Sequence, residues 1–166
     1  MRRTILTIVV IIAVTAVFAQ SPIEKGRAQF NAGIGLSSWG IPLYLGLDYG
    51  VHPDITVGGE FSFRSYGNDW SGHRYRHSII GISGNANYHF NTILNIPSNW
   101  DFYIGPNIGF YIWNSPTDYE GSHTSGLGIG AQIGGRYYFT EKFGINLEFG
   151  GANVFSGGKF GISLKL

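Results

Sequence analysis

Apolar residues recur at every second position in eight separate segments between Phe30 and Leu166, and a period of two commits a chain to β-strands with one apolar face. The second segment reads Ile41, Leu43, Leu45, Leu47 and Tyr49, and the third Ile55, Val57, Phe61 and Phe63. The fifth reads Phe102, Ile104, Ile108, Phe110 and Ile112, and the last Phe160, Ile162, Leu164 and Leu166. Most segments are close to the roughly 9–11 residues that a tilted membrane-spanning strand needs. Outside the first nineteen residues, no stretch carries a helical period over a useful length.

The alternate positions are polar or tiny: Asn31, Asp48, Thr56, Ser83, Asn87, Gln132, Asn146 and Ser163, with Glu60, Arg64, Arg136 and Glu148 among them. Two closed architectures fit a strand with one apolar and one polar face. In a soluble lipocalin-like barrel the apolar face lines the interior and the polar face meets water. That outer face should be rich in Lys and Glu. Here it would be Gly, Asn, Ser and Tyr, and only 13% of the chain is charged, against about 25% in ordinary soluble domains. A barrel turned the other way, with the apolar face on lipid, needs few charges and many aromatics, and the aromatic content is 16%.

Residues 1–19 read as an export signal. Arg2 and Arg3 precede an uncharged apolar stretch from Ile5 to Phe18, and Val17 and Ala19 occupy the −3 and −1 positions of a small-residue cleavage site. A single transmembrane anchor would need about 20 apolar residues, more than this stretch supplies. The expected mature chain begins at Gln20, with a polar lead-in over 20–26 and one barrel domain over 27–166. Cleavage takes the formal charge from +1 to −1, which gives nucleic acid nothing to bind. There is no cysteine, so neither disulfides nor amino-terminal lipidation at Cys enter.

The connections alternate in length. Gly50 to Pro53, Thr140 to Lys142 and the longer Asn91 to Asn99 read as periplasmic turns, while Ser37 to Gly40, Gly67 to Tyr75, Asn114 to Thr124 and Gly151 to Gly158 read as outer loops. Aromatics gather at both sets of strand ends, with Tyr49, Trp100, Tyr137 and Phe143 at one and Trp39, Phe63, Trp70 and Trp113 at the other, as interfacial girdles require. An even strand count puts both termini in the periplasm.

With this strand pattern, with Gly135-Arg136-Tyr137-Tyr138-Phe139 running into a tight turn, and with the final strand Phe160-Gly161-Ile162-Ser163-Leu164-Lys165-Leu166, the chain resembles the small eight-stranded outer-membrane β-barrels, the opacity-type proteins and the transmembrane domain of outer-membrane protein A. The resemblance covers the whole mature chain. It implies an all-β, closed, antiparallel up-and-down barrel in the outer membrane, with lipid around it. It also implies that the barrel assembly machinery reads the last strand, although this one ends in Leu166 where the family ends in an aromatic.

An eight-stranded barrel is just wide enough for side chains to fill it. Tyr44, Tyr103, Tyr111 and Tyr138 share inward parity with a polar network of Glu60, Arg64, Arg136 and Glu148, so general diffusion is not expected. Counting outward from the Thr140–Lys142 turn sets Arg136 beside Asn146 and diagonal to Glu148, and an Arg136–Glu148 ion pair is expected. His123 and Ser125 are spaced like the dyad of a lipid A deacylase, but the carboxylate that must orient such a base is missing, since Glu148 points inward and Glu120 is three residues away in the same loop. Arg74 and Arg76, interleaved with Tyr75, project to one side and could grip lipopolysaccharide phosphates in bidentate fashion; a solvated basic loop is the plainer alternative. His73 and His77 lack further histidines nearby to make a metal site. No cofactor is expected. The reading is a structural or surface-interaction barrel of the envelope, not an enzyme, with a lipid-modifying enzyme of deacylase type as the alternative.

Overall fold

The structure is a computed structural model that describes residues 23–37, 40–70, 73–116, 125–151 and 156–166. Eight antiparallel strands follow one another around a closed barrel: β1 (Ala28–Ser37), β2 (Leu43–His52), β3 (Ile55–Trp70), β4 (His73–His89), β5 (Trp100–Asn114), β6 (Gly126–Tyr138), β7 (Phe143–Gly151) and β8 (Ser156–Lys165). The ring closes where β8 pairs with β1, from Lys165 opposite Gln29 to Gly157 opposite Ser37. Each backbone ladder therefore has a partner on both sides, which a strand in hydrocarbon requires. The expected strand count and closure are both present. The signal segment lies outside the described residues.

Alternation sorts the side chains. Leu43, Leu45, Leu47 and Tyr49 of β2 face outward and are about half exposed, as are Phe61 and Phe63 of β3 and Phe102, Ile104 and Ile108 of β5. The buried set is mostly polar: Gln29, Asn31, Asp48, Thr56, Arg64, His89, Asn87, Asp101, Gln132, Arg136, Asn146, Glu148, Lys159 and Ser163. A soluble barrel has the opposite polarity. An apolar wall around a polar interior is stable only where hydrocarbon replaces water outside, and the lipocalin-like alternative falls on that observation.

The turns at the end that carries both termini follow local chemistry. Between β6 and β7 the Thr140 hydroxyl accepts the Phe143 amide at 3.0 Å, closing a tight turn. Between β4 and β5, where a longer turn over Asn91 to Asn99 was expected, the chain makes a single helical turn, α1 (Asn91–Leu94), which stops at Asn95 in the left-handed region (φ 51°). The Asn91 side chain ties it to β5 by donating to the Trp100 carbonyl at 2.6 Å. The lead-in is not wholly a polar tail. Ile23 is buried, and the Gly26 amide donates to the Gly50 carbonyl at 2.8 Å, which folds the segment under the barrel.

The far end departs from expectation. Residues 67–75 read as a loop because Gly67, Asn68, Asp69 and the Ser71-Gly72 pair are turn formers, yet the β3–β4 ladder runs on through Gly67–Arg76 and Asp69–Arg74 to Trp70–His73. The neighbouring ladders stop lower, at Leu43–Phe63 between β2 and β3 and at Ser78–Asn114 between β4 and β5. Residues 64–70 and 73–77 thus form a two-stranded ribbon standing about 20 Å beyond the pairing on either side, at roughly 3.3 Å per residue.

Candidate functional site

The lumen is built from inward positions of all eight strands, and its polar groups fall into two ionic clusters. Nearer the termini, the Arg136 guanidinium of β6 reaches Asp48 of β2 at 2.5 Å and Asp101 of β5 at 3.0 Å. Asp48 also accepts from Asn31 at 2.9 Å, Asn31 from Gln29 at 2.8 Å and from Ser163 at 2.8 Å, and the Tyr138 hydroxyl donates to Gln29. Further along the axis, Lys159 of β8 bridges Glu60 of β3 at 2.7 Å and Glu148 of β7 at 2.5 Å. Tyr103 stands between the clusters: its hydroxyl donates to Glu148 at 2.8 Å while Arg136 lies 4.3 Å from its ring centroid. A second bridge of amides, Gln132 to Asn87 at 2.9 Å and Asn107 to Gln132 at 3.2 Å, crosses the other side.

The expected Arg136–Glu148 pair is therefore corrected. The register was counted rightly, with Arg136 opposite Asn146 and Glu148 opposite Gly134. Gly134 has no side chain, however, and the Tyr103 ring fills that space and separates the two charges. Each finds its partners across the axis. Glu60, Arg64, Arg136 and Glu148 all turn inward, but Arg64 sits apart near the far end, donating to the Ser37 hydroxyl at 3.1 Å. Asp48, His89, Asp101 and Lys159 complete the clusters and were not singled out; their inward parity, one residue from an outward Leu47, Tyr88, Phe102 or Phe160, is the signal that could have found them.

A methyl at Gly134 would overlap the Tyr103 ring, which Glu148 and Arg136 hold in place. Gly134→Ala should lower stability by about 1–3 kcal/mol, the usual cost of overpacking, read as an earlier midpoint in urea unfolding of the inserted barrel. An unchanged midpoint would mean that Tyr103 has room to move.

Thr56, His89 and Asp101 form a hydroxyl–imidazole–carboxylate row, with Thr56 Oγ1 3.0 Å from His89 Nε2 and His89 Nδ1 2.6 Å from Asp101. The row has the connectivity of a nucleophilic triad. All three residues are fully buried, so no substrate carbonyl reaches the hydroxyl; the row holds Asp101 against Arg136 instead. Two gaps among the lumen side chains measure about 20 and about 10 Å³, of the order of one water molecule each.

At the far end, His77 turns inward and is fully buried, its Nδ1 3.0 Å from the Ser115 hydroxyl and its ring 5.7 Å from Trp113 and 6.2 Å from Tyr66. Arg76 is exposed on the outer face of the ribbon. Arg74 has the same strand parity, and its side chain lies outside the described residues. His123 and Glu120 lie outside them too; the Ser125 hydroxyl accepts the Trp113 amide at 3.0 Å.

No protein-family model matches the chain, and no curated protein matches it by sequence. Solved structures do match by shape. The outer membrane protein OprG from Pseudomonas aeruginosa superposes with a TM-score of 0.62 at 9% identity, over 88% of this chain and 99% of that one. The N-terminal β-barrel domain of Pseudomonas aeruginosa OprF gives 0.54 at 16% identity, over 86% and 98%. Ail of Yersinia pestis, in complex with the heparin analogue sucrose octasulfate, gives 0.51 at 14% identity, over 85% and 95%. Closed ring, apolar wall, filled polar lumen and these likenesses agree: this chain has the fold of the small eight-stranded outer-membrane β-barrels.

Proposed function

We propose that the chain is a structural or surface-interaction barrel of the outer membrane, both termini in the periplasm, with no enzymatic activity. The observation that carries this reading is the β3–β4 ribbon, which continues past the neighbouring ladders at the end away from the termini. Its outer face carries Arg76 directly above the apolar wall, at the level where lipopolysaccharide phosphates would lie, with Arg74 at the next outward position. Guanidinium groups there suit bidentate phosphate contacts. Ail, a barrel of the same fold, has been crystallised with a heparin analogue, which is a polyanion. The closed clusters in the lumen argue against general diffusion. The final strand, with Phe160, Ile162 and Leu164 outward, is the segment we assign to the barrel assembly machinery.

Arg74→Gln/Arg76→Gln should abolish the extra stability that lipopolysaccharide confers on the barrel in mixed vesicles, while stability in phospholipid-only vesicles stays unchanged. Equal loss in both vesicles would reject the phosphate contact. In planar bilayers the protein should give no large steady conductance; stable porin-sized channels would reject the filled lumen. Lipid A of a host expressing the protein should keep all its acyl chains by mass spectrometry, and loss of a chain would favour the deacylase alternative.

A further inference from the structure

Between β4 and β5 the chain carries two large apolar side chains beyond the end of the ladder: Ile93 is 65% exposed and Leu94 64%. No residue between Phe90 and Trp100 is charged, whereas the tips of the other two turns at this end carry Asp54 and Glu141 with Lys142. A single exposed leucine on a surface is ordinary. These two, however, share one side of a turn whose other side is fixed to the barrel.

Successive residues of α1 advance by about 100° around its axis. Asn91 and Thr92 occupy the fixed arc. Asn91 is fully buried and donates to the Trp100 carbonyl at 2.6 Å, and the Thr92 hydroxyl donates to Asp54 of the β2–β3 turn. Ile93 and Leu94 follow at roughly 200° and 300° from Asn91, so they project from the arc turned away from those anchors. The mouth of the lumen is bordered by Ser98 and Asn99, further along the same connection, and not by Ile93 or Leu94. The free arc faces out over the wall.

That part of the wall is aromatic. The rings of Tyr88 and Phe90 at the end of β4 lie 5.4 Å apart, and those of Trp100 and Phe102 at the start of β5 lie 5.6 Å apart. Trp100 is also 4.7 Å from Tyr137 of β6. Rings of this kind mark the level of the headgroups, and α1 follows Phe90 directly. Ile93 and Leu94 are therefore continuous with the lipid-facing surface.

We infer that α1 is an interfacial anchor, with Ile93 and Leu94 seated among phospholipids at the headgroup–acyl boundary of the leaflet at the termini end. The inference rests on the outer-membrane fold and not on which way the barrel faces. Moving apolar area from water into that boundary is favourable, so the turn holds the β4–β5 side of the barrel at a fixed depth.

The chain has no cysteine, so a nitroxide spin label can be placed at one chosen position. Ile93→Cys, Leu94→Cys and, as a reference in water, Lys142→Cys at an exposed turn position are each labelled in the full-length protein. They are inserted into vesicles of phosphatidylethanolamine and phosphatidylglycerol, and unheated gel mobility scores insertion. Power saturation then compares collisions with oxygen, which concentrates in hydrocarbon, and with a water-soluble nickel chelate. The oxygen-to-nickel ratio at 93 and 94 should exceed that at 142 several-fold. Ratios equal to that at 142 put α1 in water and overturn the anchor. Low access to both reagents also overturns it: spin–spin broadening would then assign the contact to a second copy, and its absence to the same barrel. Failure of both α1 variants to insert while Lys142→Cys inserts overturns it too, because a lipid boundary accepts a nitroxide and a packed protein contact does not. A wild-type chain that does not insert overturns the outer-membrane reading itself.

Discussion

Arg136→Met should cost the inserted barrel about 3–5 kcal/mol, the usual consequence of stripping a buried carboxylate of its cation. Here one guanidinium serves two carboxylates, Asp48 and Asp101, both almost fully buried. Asn31 continues to donate to Asp48 and His89 remains on Asp101, so each acid keeps one partner and the loss stays within that range. Methionine keeps the unbranched stem and removes the guanidinium, so the change takes away the charge and leaves space that a water molecule can enter. Adding Asp101→Asn to the variant should restore part of the loss, giving a clear coupling in a double-mutant cycle. Exchanging charges with Glu148 should restore nothing: Arg136→Glu sets a third acid beside Asp48 and Asp101, and Glu148→Arg sets a second cation beside Lys159. Urea unfolding in phospholipid vesicles, followed by gel mobility, measures each single and double variant, Asp101→Asn alone included. Recovery in the charge exchange would mean that Arg136 and Glu148 meet after all.

That error separates what was legible in the sequence from what was not. The wall was legible because lipid imposes one rule on every outward residue; Leu43, Leu45 and Leu47 announce β2 without reference to any other strand. Adjacent register was legible too, since the Thr140–Lys142 turn fixes Arg136 against Asn146 by counting alone. Partners across the lumen follow a different geometry. Asp48 and Arg136 are four strands apart around the ring, and whether they share a level depends on tilt and stagger summed over β2 to β6. Counting from one turn says nothing of that sum. Tyr103 compounds the problem, because the space it occupies exists only through the absence of a side chain at Gly134. The ribbon was hidden for another reason. Gly67, Asn68 and Asp69 are individually turn formers, but once Phe63 and Ile80 fix the register below, continued pairing satisfies backbone groups that a loop would leave to water. Ile23 was missed because a lone apolar residue in a polar lead-in has no periodicity to betray it.

The second cluster should respond to a change in charge and also to acid. Lys159 holds Glu60 and Glu148 at 2.7 and 2.5 Å, and its ammonium lies 5.2 Å from the Tyr44 ring centroid. Lys159→Met leaves two carboxylates facing each other across the space the ammonium filled, with Asp48 lining the same small gap. At neutral pH the loss should again be about 3–5 kcal/mol, towards the lower end because Glu60 is less enclosed than Arg136 and a water molecule can enter. The repulsion exists only while both acids are ionised and only in the folded barrel, where they are held together. A proton on one of them removes it, so the stability of the variant should rise as the pH falls and its deficit against wild type should narrow in acid. Wild type keeps its cation between the acids, so this repulsion is not there to be relieved. Lys159→Met/Glu60→Gln should recover most of the loss at neutral pH, because the remaining Glu148 still accepts the Tyr103 hydroxyl at 2.8 Å. Urea midpoints of the three proteins from acid to neutral pH decide the matter. A deficit of constant size across that range, or no gain from Glu60→Gln, would show that Lys159 contributes packing and not charge.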